Sequence, residues 1–285
     1  MEDFNILFPD ERYRGETTLR QAQLVMFRIL KVVDFICRKH KIPYWLCSGT
    51  LLGAVRHQGF IPWDDDLDIA MLREDYERFI HIAKEALPED MFLQTKENEK
   101  EYDYLPVPCK IRDTKSLITS PYLDKQQYHK GIAIDVFPFD RFHLFGAKST
   151  KDLCLKKYNG LISKCFDADM GIDMTILKVF VSWFKPFFRR LLLHYQRKIA
   201  PTIEKNKRLP DNECFVGHGF NTPWIRKINM DEIFPLQEIL FEGQSFYAPH
   251  NTNAYLTNLY GTTYMTPPPK DKQIPPHGAI IKPIL

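Results

Sequence analysis

Hydrophobic side chains between residues 18 and 40 recur at steps of three and four, which is the spacing of one buried helical face. Two threonines precede this run as candidate N-caps. Residues 42–47 are apolar and aromatic and predict a strand, and the following residues 50–57 predict a short helix. Residues 74–87, which are followed by a proline, predict another amphipathic helix. The first third of the chain therefore alternates helix and strand patterns.

Alternation with a period of two predicts two further strands, and both carry acids. Residues 66–69 alternate acidic and apolar side chains, which places Asp66 and Asp68 on one face of the strand. Residues 132–137 predict the second strand, with Asp135 on the face opposite its Ile and Val side chains. A single acid among such residues is rare unless it has a partner.

The remaining segments are assigned from turn residues and charge. They are strands or edge strands at 105–112 and 116–120, a loop at 209–223 and a helix at 251–260. Residues 148–208 look helical and hold 14 Lys or Arg against 5 Asp or Glu, although the whole chain carries a net charge of only +3. The proline-rich tail predicts no regular structure.

These patterns predict an α+β fold with a small mixed sheet flanked by helices. Residues 1–145 are expected to form the core that carries these acids, 146–210 a basic, aromatic-rich helical segment, and 211–285 a C-terminal part that returns to the core. The aromatic stretch within 174–199 has two interpretations. It is part of a core or the wall of an acceptor groove, or it is a peripheral membrane contact.

Composition places the chain among soluble globular proteins, with 44% hydrophobic and 26% charged residues in a length of 285. Its six cysteines are scattered without a CxxC pair, which favours reduced thiols in a cytoplasmic protein. The N-terminus shows no signal pattern, and no apolar run reaches the ~18 residues of a spanning helix. We expect a cytoplasmic protein, with the inner face of the membrane as an alternative location.

Four carboxylates, Asp64, Asp65, Asp66 and Asp68, stand directly before an apolar run. Burying them is costly unless a cation lies among them. Alternation selects Asp66 and Asp68 as one pair and turns Asp65 away, and Asp135 is the candidate third ligand. Oxygen-only ligands with open positions suit Mg²⁺ or Mn²⁺, so the sequence predicts a divalent-metal site.

Ser48, Gly49 and Thr50 join the predicted strand to the predicted helix that follows it. A strand, a turn with Gly and hydroxyl residues, and a helix N-terminus together form a cradle for phosphate, because backbone N–H groups and the helix dipole point at the anion. The alternative is an ordinary turn. The position just before the acids favours phosphate binding.

Three motifs carry a resemblance to a known family: SGTLLGAVRHQGFIPWDDDLDIAM, KGIAIDVFPFD and LYGTTYMTPPP. They closely resemble the LicD family of phosphocholine transferases, which is related to the fukutin-type ribitol-phosphate transferases. The family implies a nucleotidyltransferase core of the DNA polymerase β type. It also implies transfer of a phospho-alcohol, often phosphocholine, from a CDP-activated donor to a cell-surface glycan such as lipopolysaccharide or a teichoic-acid precursor. The net charge of +3 gives no reason to expect a nucleic-acid partner.

The resemblance also assigns roles to individual positions. Asp66, Asp68 and Asp135 become the catalytic, metal-binding acids. The other positions carried over are Ser48, Gly49 and Thr50 at the donor phosphate, the helix residues Gly53, Arg56 and His57, and the further acid Asp64. Arg56 or Lys110 is expected to place a positive charge at the leaving nucleotide. Weaker candidates for substrate contact are His129, Lys130 and His277.

Other functions fit the same acids less well. An EF-hand loop beginning at Asp64 requires Gly where Ile69 stands. A DxD glycosyltransferase usually has a nucleotide-binding half before the motif, and only 65 residues precede Asp66. A template-independent nucleotidyl polymerase needs a strong basic footprint, which a net charge of +3 does not supply.

Overall fold

The computed structural model describes residues 4–102, 107–120, 123–166, 185–222, 224, 226–276 and 280–284. These residues divide into two compact units. Unit 1 holds the described residues of 4–102, 109–137 and 231–284, and unit 2 holds those of 107–108 and 138–230. The two units are compact parts of the fold and carry no assignment of function. The three segments predicted from the sequence, at 1–145, 146–210 and 211–285, therefore stay a prediction.

The helices of the described residues are α1 (Phe4–Leu7), α2 (Thr18–His40), α3 (Ser48–His57), α4 (Arg73–Ala86), α5 (Gly146–Phe166), α6 (Lys185–Asn206), α7 (Met230–Ile233) and α8 (Thr252–Tyr260). The strands are β1 (Trp45–Leu46), β2 (Asp68–Leu72), β3 (Met91–Thr95), β4 (Cys109–Asp113), β5 (Leu117–Thr119), β6 (Ala133–His143), β7 (Cys214–His218), β8 (Gln237–Phe241), β9 (Gln244–Ala248) and β10 (Ile280–Lys282).

The main sheet of unit 1 has the strand order β1-β2-β6-β4-β3, and helices α2, α3 and α4 pack against its strands. The second half of β6 pairs antiparallel with β7 in unit 2. In unit 1, β8 and β9 form a hairpin and β10 pairs with β5. The predicted α+β fold with a mixed sheet flanked by helices is confirmed.

Helix α2 supplies much of the core of unit 1. Its buried apolar side chains follow the predicted spacing and include Val25, Ile29, Val32, Val33 and Ile36. The Thr17 hydroxyl caps the helix by accepting a hydrogen bond from Arg20 N at 3.1 Å. Lys41 ends it in a left-handed conformation with φ 52°. This helix is therefore confirmed from its cap to its last turn.

Element boundaries near the acids differ from the prediction. Strand β2 begins at Asp68 rather than at Asp66, because β1 ends at Leu46 and Leu46 is paired with Ile69. Residues before Asp68 consequently have no partner in β1. Helix α3 begins at Ser48 rather than at residue 50, so the Gly-hydroxyl element is the first turn of the helix and not a separate loop.

The predicted loop at 209–223 is wrong, because it contains the fully buried strand β7. Gly217 lies inside this strand, and a Cβ there would come within 2.1 Å of Arg226 O. In the sequence alone, a strand glycine that permits close backbone approach cannot be distinguished from a glycine that marks a turn. The neighbouring bridge between Val216 and Ile228 shows that the segment is paired.

The basic segment is helical where it is described, in α5 and α6. Residues 167–184, and with them part of the aromatic stretch 174–199, lie outside the described residues. None of the helices among the described residues combines the length and the apolar character that a membrane crossing requires. Near the C-terminus, α8 agrees with the predicted helix at 251–260, and Asn251 is its N-cap.

Candidate active site

A buried hydroxyl joins helix α3 to the first residue of β2. Thr50 is only 4% exposed, and its Oγ1 accepts a hydrogen bond from Asp68 N at 2.7 Å. Cys47 N in turn donates to Asp68 O at 3.2 Å. Asp68 is therefore fixed by its backbone on both sides, and Thr50 contributes to the site first by positioning this acid.

The turn into α3 brings a second acid to the helix N-terminus. Ser48 has a φ of 49°, in the left-handed region, and redirects the chain from β1 into the helix. A Cβ on Gly49 would lie 2.9 Å from Asp64 Oδ2, so the absence of a side chain lets this carboxylate approach the first turn. Backbone N–H groups and the helix dipole favour negative charge there. Gly53 allows α3 to pack against the chain that follows it, since a Cβ there would meet Gly59 O at 2.5 Å.

The acids predicted from the sequence lie within electrostatic reach of one another. Burial raises the pKa of the Asp68 carboxyl well above its usual range, and the charges of Asp66 and Asp135 raise it further. Asp64 adds a smaller effect in the same direction, and the Lys110 ammonium opposes it. The fold therefore brings Asp64, Asp66, Asp68 and Asp135 into one negative region.

Lys110 and Asp135 form an ion pair across neighbouring strands. They are register partners of β4 and β6, and Lys110 Nζ lies 2.5 Å from Asp135 Oδ1. Both side chains are largely buried. Lys110 thus holds the third acid in place and supplies a positive charge at the edge of the cluster.

The donor set of this region suits a hard divalent cation. The side-chain groups available here are the carboxylates of four acids, together with the ammonium of Lys110, and carboxylate oxygens are the ligands that such a cation prefers. No three His, Cys, Asp or Glu side chains in the described part of the chain are grouped closely enough to form a ready metal site. The three-acid metal site of Asp66, Asp68 and Asp135 stays a prediction.

Arg56 and His57 are held together at the end of α3. Arg56 donates from Nε to His57 Nε2 at 3.0 Å and from one terminal nitrogen to Tyr264 O at 2.9 Å. Burial lowers the pKa of Arg56, which the negative charge of Asp64 partly offsets. Arg56 is therefore held in place by His57 and Tyr264, and its role at the leaving nucleotide stays a prediction.

Tyr260 is a neighbour of the acids that sequence reasoning did not single out. Burial of its hydroxyl raises the pKa of Tyr260, and the negative charge of Asp68 raises it further. Asp66 and Asp64 act in the same direction more weakly. The residue as a whole is 45% exposed. Its place in the LYGTTYMTPPP motif was the available signal. Tyr255, one helical turn earlier, is buried, and its hydroxyl accepts a hydrogen bond from Trp45 Nε1.

The weaker candidates have local roles where they are described. The His129 ring stacks on Phe92 with centroids 5.2 Å apart, and its Nδ1 accepts from Gly131 N. Lys130 Nζ donates to the carbonyls of Leu123 and Gln126. His277 lies outside the described residues.

Comparison with known proteins gives this geometry a family context. The family described as LicD/FKTN/FKRP, nucleotidyltransferase domain, matches residues 41–166. The chain is 28% identical over 274 residues to the lipopolysaccharide cholinephosphotransferase LicD of Haemophilus influenzae, covering 91% of this chain and 96% of that protein.

Two further relatives match shorter stretches. An uncharacterized protein of Rickettsia prowazekii is 35% identical over 114 residues, which cover 33% of this chain and 42% of that protein. The ribitol 5-phosphate transferase FKRP of Mus musculus is 53% identical over 67 residues, which cover 24% of this chain and 14% of that protein. All four clustered acids lie within residues 41–166. Residues 41–166 therefore match the nucleotidyltransferase domain of the LicD/FKTN/FKRP family, and the four acids lie within the matched residues.

Proposed function

We propose that this chain is a phosphotransferase that moves phosphocholine, or a related phospho-alcohol, from a CDP-activated donor to a hydroxyl of a cell-surface glycan such as lipopolysaccharide. The similarity to a cholinephosphotransferase over nearly the whole length of both proteins supports the reaction class and the acceptor. The domain at 41–166 supports a nucleotidyltransferase core of the DNA polymerase β type. The cytidine donor and the metal requirement are our extension.

One observation carries the chemical part of the proposal. Asp68 is buried, and the charges of Asp66, Asp135 and Asp64 all act on it. Asp64 also lies beside the first turn of helix α3, at Gly49. Such a concentration of negative charge is unfavourable by itself and becomes favourable with a divalent cation. A pyrophosphate donor brings further negative charge, which the same cation and the helix N-terminus both neutralise.

The residues divide the reaction among themselves. Asp66, Asp68 and Asp135 would hold Mg²⁺ or Mn²⁺, which when bound neutralises charge on the donor pyrophosphate. The first turn of α3, at Ser48, Gly49 and Thr50, seats a donor phosphate through its backbone N–H groups.

Charge and proton movements fall to the remaining side chains. Arg56 and Lys110 place fixed positive charge beside the departing nucleotide. Asp135 takes the proton from the acceptor hydroxyl while the oxygen of that hydroxyl bonds to phosphorus. The bond between phosphorus and the bridging oxygen breaks at the same time, and CMP leaves with that oxygen.

Thermal-shift screening tests the donor and the metal together. We expect CDP-choline, CDP-ribitol or CDP-glycerol to stabilise the protein, with a larger shift when Mg²⁺ is present, because the donor and the cation share the acid cluster. UDP- and GDP-sugars are the comparison ligands. Stabilisation by a nucleotide sugar alone contradicts the proposal and favours a DxD glycosyltransferase.

Turnover of the donor that binds tests the acids. Asp66→Asn or Asp68→Asn should lower kcat by orders of magnitude with the fold intact, because each removes a charged ligand oxygen. Asp65→Asn is the matched control, since the charges that act most on the Asp68 carboxyl are those of Asp66, Asp135, Lys110 and Asp64 and not that of Asp65. Activity that survives Asp66→Asn and Asp68→Asn together shows that the site is assigned wrongly.

Two parts of the proposal concern location. We infer that the protein works in the cytoplasm, at the inner face of the membrane where glycolipid precursors are available. Residues 174–199 are the proposed peripheral contact, through a mixture of aromatic and basic side chains. Flotation of the full chain with vesicles containing anionic lipid tests this, and failure to float with them dismisses the membrane contact.

A further inference from the structure

A network of polar side chains holds the loop at residues 58–64, which leads into the acid cluster. It begins at the turn of the β8–β9 hairpin, where Glu242 and Gly243 have φ values of 50° and 79°. Positive φ at both central residues is the geometry of a tight two-residue turn. This turn presents both the backbone and the side chain of Glu242 to the loop.

Glu242 binds the first half of the loop at two points. Its backbone N donates to Gln58 O at 2.9 Å, and its Oε1 accepts from Phe60 N at 3.1 Å. Gly59 lies between these two contacts, and a Cβ there would come within 2.5 Å of Glu242 Oε1. The Phe60 and Phe241 rings pack beside them with centroids 4.9 Å apart. Glu242 therefore fixes the backbone of residues 58–60 through two hydrogen bonds.

Helix α2 extends the network to the second half of the loop. Arg20 donates to both carboxylate oxygens of Glu242, at 3.1 and 2.5 Å, and also to Gln23 Oε1 at 3.1 Å. Gln23 is buried, and its Nε2 donates to Asp64 O at 3.0 Å. A continuous chain of hydrogen bonds thus runs from the hairpin turn through α2 to the backbone of Asp64.

The end of this chain is an acid of the proposed site. The Asp64 carboxylate approaches the first turn of α3 at Gly49, and its charge acts on Asp68. Within the loop, Asp64 N donates to Ile61 O at 2.9 Å. From helix α2, Gln23 Nε2 lies 3.4 Å from Ile61 O and 3.0 Å from Asp64 O. Groups outside the loop therefore contribute to where Asp64 lies.

We propose that Glu242, Arg20 and Gln23 are positioning residues for the transfer reaction. They hold the 58–64 loop so that Asp64, and the acids directly after it, face the donor site in one arrangement. This inference rests on the proposed phosphotransferase function. It adds the means by which a hairpin more than 170 residues further along the chain controls the geometry of these acids.

Variants of Glu242 test the network. Glu242→Ala removes both the acceptor for Phe60 N and the ion pair with Arg20, and we expect kcat to fall roughly 10- to 100-fold with KM within about threefold. Glu242→Gln keeps an oxygen acceptor for Phe60 N but loses the charge, so its kcat should lie between those of Glu242→Ala and the wild type. Arg20→Gln, which leaves the acceptor in place, should resemble Glu242→Gln.

The chain offers a matched control. Arg38 donates to Glu238 at 2.8 Å, which is another Arg–Glu pair between α2 and the same hairpin, but Glu238 makes no hydrogen bond to the described residues of the loop. Glu238→Ala should therefore keep the wild-type kcat. Hydrogen exchange of the amides at 58–64 gives a readout independent of turnover. Exchange should be faster in Glu242→Ala and unchanged in Glu238→Ala.

The outcomes separate the two proposals. Wild-type kcat in Glu242→Ala, or unchanged exchange at 58–64 in that variant, overturns the positioning role. Equal losses of kcat in Glu242→Ala, Glu242→Gln and Glu238→Ala also overturn it, because they indicate only docking of the hairpin on α2. If the wild type transfers none of the tested donors, the proposed function fails, and the exchange measurements still decide whether the network holds the loop.

Discussion

The hydrogen bond between Thr50 and Asp68 offers a sharp test of how the site is built. Thr50→Val keeps the size and the branching of the side chain but removes the acceptor for Asp68 N. This amide is buried and was bonded at 2.7 Å, so the change leaves a donor without a partner. Such a group costs about 1–3 kcal/mol of the free energy of unfolding. Thr50→Ser keeps the oxygen and loses one buried methyl group, at a cost of ~0.8 kcal/mol.

Urea unfolding with EDTA present measures both variants without interference from divalent cations. Thr50→Val should have the lower free energy of unfolding in urea. A parallel thermal melt should give it a Tm a few degrees below that of Thr50→Ser, at about 2–4 °C per kcal/mol. Turnover, measured well below both Tm values, should fall more in Thr50→Val, because Asp68 loses its anchor to α3. Equal stability of the two variants refutes the anchoring role. A stability loss with unchanged turnover refutes the link between the position of Asp68 and catalysis.

Two other perturbations follow from the structure. Lys110→Met removes the cation 2.5 Å from Asp135. Because the two side chains keep 17% and 14% exposure, we expect the free energy of unfolding in urea to fall by about 1–2 kcal/mol, and kcat to fall as well. Lys110→Arg, which keeps the charge, should lie closer to the wild type in both measurements. In unit 2, burial and then the charge of Lys156 lower the pKa of His218 to about 3, from an ordinary value of 6.5. The unfolded chain therefore binds the proton more readily, so the stability due to neutral His218 is complete above pH 6.5 and is lost as the pH falls towards 3, by up to ~1.4 kcal/mol per pH unit. Thermal melts from pH 7.5 to 5 should show a shallower decline for His218→Phe than for the wild type, and parallel declines would contradict the assignment.

Local patterns predict most of the secondary structure near the site. The periodicity and cap of α2 and the alternation in β6 depend on residues close together in the chain, so the sequence displays them directly. The identity of the clustered acids was also predictable, because acids beside apolar strand residues need a reason to be there. Strand β7 was not predictable, since Gly217 serves a close backbone approach to Arg226 rather than a turn.

Long-range partnerships account for the rest. Arg20 and Glu242 are 222 positions apart, and no periodicity joins them. Tyr260 reaches the acids through the packing of α8 against α3, which the sequence of neither helix reveals alone. The hydrogen bond that Thr50 accepts from Asp68 N, 18 residues later, was hidden for the same reason. The predicted role of Thr50 at a donor phosphate stays a prediction.

Unit 1 is assembled from pieces of chain that a ribosome makes at different times. The acids and their sheet are complete at residue 137, but the hairpin that carries Glu242 follows only after unit 2. About 100 residues separate Asp135 from Glu242, which takes roughly 5–20 s to synthesise. During that interval the nascent chain contains the clustered acids, but the 58–64 loop lacks its hydrogen bonds to Glu242. A pause in translation between residues 138 and 240 therefore prolongs the stage at which unit 1 is most open to misfolding and proteolysis.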